Sequence, residues 1–253
     1  MNITSLPHHG LSVEVLSMLS RIGIIGDVHA QDQYLHQALD HLTRLGVDHI
    51  ICTGDIADGP GDIHACINLL LDYNVDTVRG NHDRWVLQNK ARHIPDAHRR
   101  ETLHDNVICY LQDLPLQIEL ETKLGTLLLC HGVGSNDLQK IWPGTDRMPA
   151  ERSARLDDII AKGDTPLMVN GHLHYRTLIH FDSLTLLNAG TLRGRHRPGF
   201  SLIDLDADEV HGFELEPKIH EVKRQPLSPT LDVQVFKNTQ HFDDQWQPVT
   251  LYA

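Results

Sequence analysis

At 253 residues, with 40% hydrophobic and 22% charged side chains, the chain has the size and balance of a soluble globule that can bury a full core. Its 34 acids against 22 bases leave a formal net charge of −12, which argues against a general nucleic-acid or anionic-membrane surface, since both need a positive field. No apolar run approaches the roughly 18 residues of a membrane span. The amino terminus lacks the basic start and apolar core of a signal peptide, so the expected location is cytoplasmic. Four cysteines form no CxxC pair. Cys52, Cys109 and Cys130 lie in or beside apolar runs and are expected to be buried, reduced thiols. The chain has 19 histidines, so no single one carries an argument. His8, His9, His36, His41, His93, His98 and His104 fall on no pattern and are read as surface or hydrogen-bonding residues.

In chain order, Val13, Val15, Leu16 and Leu19 suggest a short helix without chemistry. Residues 22–25 read as a buried strand ending at Gly26-Asp27-Val28-His29. Leu35, Ala38, Leu39, Leu42 and Leu45 recur at helical spacing, with Asp32 as the expected N-cap and Gly46 as the stop. A second strand, residues 49–53, delivers Gly54-Asp55-Ile56-Ala57-Asp58, and Ile63, Cys66, Ile67, Leu70 and Leu71 form the next helical stripe. A third strand at Thr77 and Val78 delivers Arg79-Gly80-Asn81-His82-Asp83. Asp55 follows His29 by 26 residues, and Asn81 follows Asp55 by 26. That interval suits a strand, a crossover helix and the next parallel strand, so three polar tips fall on one carboxyl-terminal sheet edge, where α/β sheets bind ligands.

Residues 84–114 read as helical and basic-polar, broken at Pro95 and Pro115; they form either a rim over the site or a plain connecting helix pair. A hairpin follows over residues 116–120 and 126–130, ending at His131-Gly132, then a loop to Pro149 and a helix near residues 152–161. Residues 167–170 are another buried strand, ending at Gly171-His172-Leu173-His174. Residues 177–181, 184–187 and 199–205 alternate and are expected to complete a second, more antiparallel sheet. Beyond Lys218 the chain is polar with scattered prolines.

Five strand ends thus supply Asp27, His29, Asp55, Asn81, His131, His172 and His174. Imidazole nitrogens with carboxylate or carboxamide oxygens suit Mn²⁺, Zn²⁺ and Fe²⁺, and the missing thiolates argue against a structural zinc knot. Seven ligands exceed what one catalytic ion with an open position takes; they fit two ions, about 3.5 to 4 Å apart, with a carboxylate as bridge.

The series GDVH, GD-x-x-D, GNHD, HG and GHLH, over roughly residues 21–205, resembles the calcineurin-like metallophosphoesterase family, small bacterial phosphoesterase type. The resemblance implies a two-sheet β-sandwich flanked by helices, here over residues 20–217. Residues 1–19 would be an extension, and 218–253 a tail packed on the domain or on a partner. It implies that Asp27, His29 and His174 bind one metal, that Asn81, His131 and His172 bind the other, and that Asp55 bridges them. It implies Mn²⁺ as the first expectation, with Fe²⁺/Fe³⁺, Zn²⁺ or Ni²⁺ as alternatives. By the same resemblance a bridging hydroxide attacks phosphorus, His82 serves the leaving-group oxygen as proton donor, and Asp83 orients His82. Asn188-Ala189-Gly190-Thr191 is similar to an NPGS-type ending, with Ala189 in place of the usual proline. Asp58-Gly59-Pro60 departs from the GDxxDRG of protein phosphatases, so Arg79, Arg84 or the Arg193, Arg195 and Arg197 group is the candidate phosphate grip, against the plainer reading of a solvated face. Asp58 is read either as a loop cap or as support for a ligand, and Trp85 as core.

The leading expectation is a phosphomonoester or phosphodiester hydrolase acting on a small phosphorylated molecule or nucleotide, with an oligomer left open. A dinucleoside tetraphosphatase or a Ser/Thr protein phosphatase-like activity stands behind it. A catalytically idle protein-binding scaffold is the reading from another class; such proteins usually lose ligands, and none is missing here. A DNA-repair type nuclease is disfavoured by the acidic charge.

Overall fold

The computed structural model describes residues 18–90, 96–194 and 196–253. The expected first helix over residues 13–17, His8, His9, His93, the break at Pro95 and Arg195 lie outside the described residues. β1 (Arg21–Ile25), α1 (Asp32–Arg44), β2 (His49–Cys52), α2 (Ile63–Asp72) and β3 (Asp76–Thr77) alternate strand and crossover helix, with β1–β2 and β2–β3 parallel. α1 buries Leu35, Ala38, Leu39 and Leu42, and α2 buries Ile63, Cys66, Ile67 and Leu70, each an i, i+3, i+4, i+7 stripe. Leu71, one step round α2, is exposed. Asp32 is not the N-cap of α1 but its first helical residue, and its carboxylate accepts from the Asp62 amide at 3.1 Å. Asp62 caps α2, accepting from the amides of His64 at 2.8 Å and Ala65 at 3.3 Å. The starts of both helices are therefore tied beside the strand ends.

α3 (Asn81–Leu87) starts directly at the third strand's tip, and α4 (Asp105–Asp113) packs Val107 and Leu111 into the same core as α2. Cys109, expected to be buried, is exposed, because it lies two residues from both and so on the opposite helix face. The four cysteines are free. β4 (Gln117–Thr122) and β5 (Gly125–Cys130) make the hairpin; α5 (Ala154–Lys162), capped by Ser153, leads to β6 (Leu167–Asn170), β7 (Arg176–Phe181) and β8 (Thr185–Ala189). The chain finishes through β9 (Gly199–Asp204), β10 (Glu209–Glu214), β11 (His220–Pro226), β12 (Val235–Phe236) and β13 (Val249–Thr250).

One sheet has the order β11-β10-β9-β1-β2-β3, the other β12-β7-β8-β6-β5-β4, with β13 also on β7. β9 does not extend the second sheet as its sequence position suggests. It returns to the first and runs antiparallel to β1, Ile22 opposite Ile203 and Ile24 opposite Ser201. Alternation assigns faces, not partners: Phe200 and Leu202 meet the α1 side while Ile203 enters the sandwich. The second sheet is also less antiparallel than expected, since β5–β6 and β6–β8 are parallel.

Ile22, Ile24, Leu127, Leu129, Val169 and Leu187 fill the space between the sheets. Full burial of such a side chain contributes roughly 1.5–3 kcal/mol. Residues 218–253 are part of this construction. Phe236, Phe242 and Trp246 pack on the outer face of the second sheet, and Leu251 enters the interior. No helix among the described residues is long and apolar enough to cross a membrane.

Candidate metal centre

Asp27 and His29 follow β1, Asp55 follows β2, Asn81 opens α3, His131 follows β5, and His172 and His174 follow β6. The backbone that presents them is strained. His29 (φ 47°), Asp55 (φ 46°), His172 (φ 71°) and His174 (φ 61°) all sit in the left-handed region, where a non-glycine residue costs about 1–3 kcal/mol. Two glycines allow the close approach. A Cβ on Gly80 would lie 2.1 Å from Asp55 Oδ1, and one on Gly171 would lie 2.2 Å from Asp27 Oδ1. The carboxylates are aimed by donors: Asp55 Oδ1 accepts from the His82 amide at 2.8 Å, and Asp27 Oδ2 accepts from the His172 amide at 2.9 Å. The Asn188-Ala189-Gly190-Thr191 segment braces the Asp27 backbone. The Asp27 amide donates to Gly190 O at 3.0 Å, and Thr191 Oγ1 donates to Asp27 O at 2.8 Å.

All seven side chains converge. Asp27, His29 and His174 form one group of metal-ligand type, Asp55, His131 and His172 another, and His29, Asp55 and His82 a third that overlaps both. Within each group the ligand atoms lie within 4.8 Å of one another. Asn81 joins them through Oδ1, 3.0 Å from His131 Nε2.

The tautomers follow from the partners. His131 Nδ1 faces Thr53 O at 2.7 Å, and His29 Nδ1 faces Asp58 O at 3.0 Å; a carbonyl only accepts, so each Nδ1 carries a proton and donates it. The Nε2 atoms then point lone pairs inward. His29 Nε2 meets His174 Nε2 at 3.1 Å, and His131 Nε2 meets Asp55 Oδ2 at 3.3 Å. Acceptors facing acceptors in a buried place need a cation or a proton between them. Nitrogen and oxygen donors without thiolate fit divalent ions of the Mn²⁺, Fe²⁺ and Zn²⁺ kind.

The titration pattern agrees. Burial lowers His29 to about 4, so its ring stays neutral, and burial with the nearby His131 charge lowers His172 to about 4. Burial also works against a charged His131, but the Asp55 and Asp27 carboxylates overcome it and raise His131 to about 10. Desolvation pushes Asp27 and Asp55 upward, and the facing His131 outweighs it, so both stay below the ordinary carboxylate range. Without a cation, a proton on His131 balances the carboxylates; a cation would take its place.

Residues 20–208 match the calcineurin-like phosphoesterase superfamily domain. The chain belongs to that superfamily. It is similar to an uncharacterized protein of Methanocaldococcus jannaschii, 27% identical over 180 residues, covering 68% of this chain and 70% of that protein. Its fold resembles a metallophosphoesterase from Sphaerobacter thermophilus with a TM-score of 0.55, 23% identity, and 82% and 89% of the two chains covered. A hypothetical protein from Pyrococcus horikoshii superposes with a TM-score of 0.59 at 17% identity, covering 81% and 88%. At these identities the structural likeness establishes the fold.

In this member of the superfamily His82 stands at the edge of the ligand cluster, its Nε2 3.9 Å from Asp55 Oδ2 and its ring edge-on to His29 with centroids 4.8 Å apart. Asp83 does not orient it as expected. The Asp83 carboxylate accepts from the amides of Ile56, Ala57 and Gly80 at 2.8, 3.0 and 2.9 Å, so it binds the loop after β2 to the loop after β3. Burial, with the Asp55 charge beside it, pushes that carboxyl up to about 6. The group facing His82 Nδ1 is Asp58 Oδ2, at 2.7 Å. Asp58 is itself clamped by His98, whose amide donates to Asp58 Oδ1 at 2.9 Å and whose Nδ1 accepts from the Asp58 amide at 2.9 Å. His98 gave no signal in sequence; it arrives from the segment between α3 and α4, which therefore touches the site.

Arg84 is engaged elsewhere: its Nε and Nη2 donate to Asp137 at 2.6 and 2.9 Å, a bidentate pair that fastens α3 to the loop after β5. That pairing occupies two of its three nitrogens, Nε and Nη2. Arg193 is half-buried beside His196, with no carboxylate partner among the described residues. Arg195, the third expected substrate contact, lies outside the described residues.

Proposed function

We propose that this protein is a divalent-metal-dependent hydrolase of small phosphate monoesters or diesters. The observation that carries the reading is the convergent set of lone pairs from the buried Asp27, His29, Asp55, Asn81 and His131 and the half-buried His172 and His174, with His82 beside it. In this reading Asp27, His29 and His174 hold one ion, Asn81, His131 and His172 hold a second, and Asp55 serves both. Bound ions supply Lewis-acid polarisation of a phosphoryl oxygen and a water of lowered pKa. The chain's own residues do the rest. Asp58 accepts a hydrogen bond from the Nδ1–H of His82 and fixes the ring, with its Nε2–H turned toward the cluster. From there it hands a proton to the leaving oxygen, a contribution of about 10²–10⁴ in rate for an alkoxide leaving group. Asp83 keeps the two ligand loops in register.

The test is hydrolysis of p-nitrophenyl phosphate and its bis-ester by chelator-treated protein, with Mn²⁺, Fe²⁺, Zn²⁺, Ni²⁺ or Mg²⁺ returned singly. Activity that disappears on chelation and returns best with Mn²⁺ supports the reading. Undiminished activity after exhaustive chelation contradicts it.

A further inference from the structure

His174 belongs to the ligand cluster on one side and to a cavity on the other. With Tyr175, Arg176, His196, Arg197 and Tyr252 it lines a space of about 320 Å³. Tyr175 and Tyr252 also line a second cavity of about 520 Å³, whose walls include Trp142, Trp246, Asp146 and Asp244. Trp246 and Tyr252 come from the last residues of the chain, beyond the family match that ends at residue 208.

The two cavities differ in chemistry. The one beside His174 has two guanidinium groups and no carboxylate among its lining residues, in a chain whose net charge is −12. Arg197 is exposed and lies over the Tyr252 ring, 5.1 Å from its centroid, with no carboxylate partner among the described residues. Arg176 is 2% exposed, and its Nη1 donates to Phe213 O at 2.6 Å. Its nearest carboxylate, Glu214, stands off at 3.9 Å, and its Nε and Nη2 have no hydrogen-bond partner among the described residues. A buried, poorly neutralised guanidinium projects a positive field into the space above it. The second cavity is lined by aromatic rings. Trp142 lies 5.4 Å from Tyr175 with a 38° tilt and meets Trp246 edge-on at 4.9 Å; both indoles are buried and back Tyr175, which is 39% exposed. Around these faces Asp146, Gln245 and Gln247 offer polar edges. Positive charge next to the cluster, then flat faces with hydrogen-bonding rims, is complementary to an anion followed by a heteroaromatic ring.

We propose that these two cavities receive the leaving-group half of the substrate, and that this half is nucleotide-like: a second phosphate over Arg176 and Arg197, and a planar base against Tyr175 and Tyr252. The inference rests on reading the ligand cluster as the site of phosphoester cleavage. The carboxyl-terminal segment would then set specificity, while the strand-end residues set the chemistry.

Tryptophan fluorescence of the full chain, chelator-treated to prevent turnover, is titrated with ADP, adenosine and pyrophosphate. ADP is expected to bind at least about tenfold more tightly than either fragment, the ratio expected when one base-stacking contact is added to an ionic one. Arg197→Ala should weaken ADP and pyrophosphate by about tenfold and leave adenosine unchanged. Tyr252→Ala should weaken ADP and adenosine alike and spare pyrophosphate, while Tyr252→Phe, which keeps the ring and the fold, should bind as wild type does. Equal affinity for ADP and both fragments, or Arg197→Ala and Tyr252→Ala variants that bind ADP like wild type, overturns the proposal. Mn²⁺-dependent hydrolysis of p-nitrophenyl phosphate is measured alongside. If it is present while ADP selectivity is absent, only this inference fails; if it is absent, the reading of the cluster fails.

Discussion

The strand-end rim and the carboxyl-terminal wall lie side by side and are built in opposite ways. The rim is polar, buried and strained: four ligands have left-handed backbones, and lone pairs face one another across about 3 Å. The wall is aromatic and apolar, with Phe236, Phe242 and Trp246 packed against the second sheet. The rim withholds stability to create a place for charge; the wall returns it. Substitutions in the two regions should therefore separate activity from stability.

Asp55→Ala should have the largest effect on rate. It removes the carboxylate that two of the three ligand groups share and should lower kcat/KM by at least about 10³. Steady-state kinetics measure the loss. His82→Ala comes next, with an expected loss of about 10²–10⁴ in kcat for an alkyl phosphate and much less for p-nitrophenyl phosphate, whose leaving group needs little protonation. Asp58→Asn should follow the same substrate dependence at about 10–100-fold, as expected for a residue that acts through the ring it orients. An Asp58→Asn loss equal for both substrates would assign Asp58 to loop structure alone.

In the wall, Trp246→Ala should cost about 3–5 kcal/mol of stability, read from a urea midpoint, with the remaining folded protein still hydrolysing p-nitrophenyl phosphate. The smallest effect is a pH dependence. His180, on β7 opposite Val235 of β12, is buried, and burial lowers its pKa to about 4, against an unfolded value near 6.5. A depressed folded-state pKa gives stability that is complete above the unfolded value and lost as pH falls through the folded one. His180→Gln should therefore flatten the fall in melting temperature between about pH 6.5 and 4. An unchanged slope would place the acid sensitivity in another group.

The two regions were also unequally legible. Each rim ligand follows a short apolar run and carries Gly, Asp, Asn or His at the strand's end, so local pattern and a 26-residue interval suffice to bring them to one edge. What pattern could not supply is pairing across long separations. Asp83 and Asp58 both stand near His82 in sequence or space, and only the fold shows that Asp83 is occupied by three amides while Asp58 meets the ring. The His98 clamp spans 40 residues and the Arg84–Asp137 pair spans 53, distances over which composition says nothing. The return of β9 to β1 is hidden for the same reason: alternation specifies an inward face but not the neighbour. The wall is built by a polar, proline-bearing segment whose few aromatic residues are too sparse for a periodic signal.

The most direct measurement is metal content. Elemental analysis after equilibrium dialysis of the full chain against Mn²⁺ should find two ions per wild-type chain and a clear loss in the Asp55→Ala and His131→Ala variants, which lack lone pairs from the middle of the cluster. Wild-type protein that retains no more metal than those variants would contradict the account, because the inward-facing nitrogens and carboxylates would then be satisfied by protons alone.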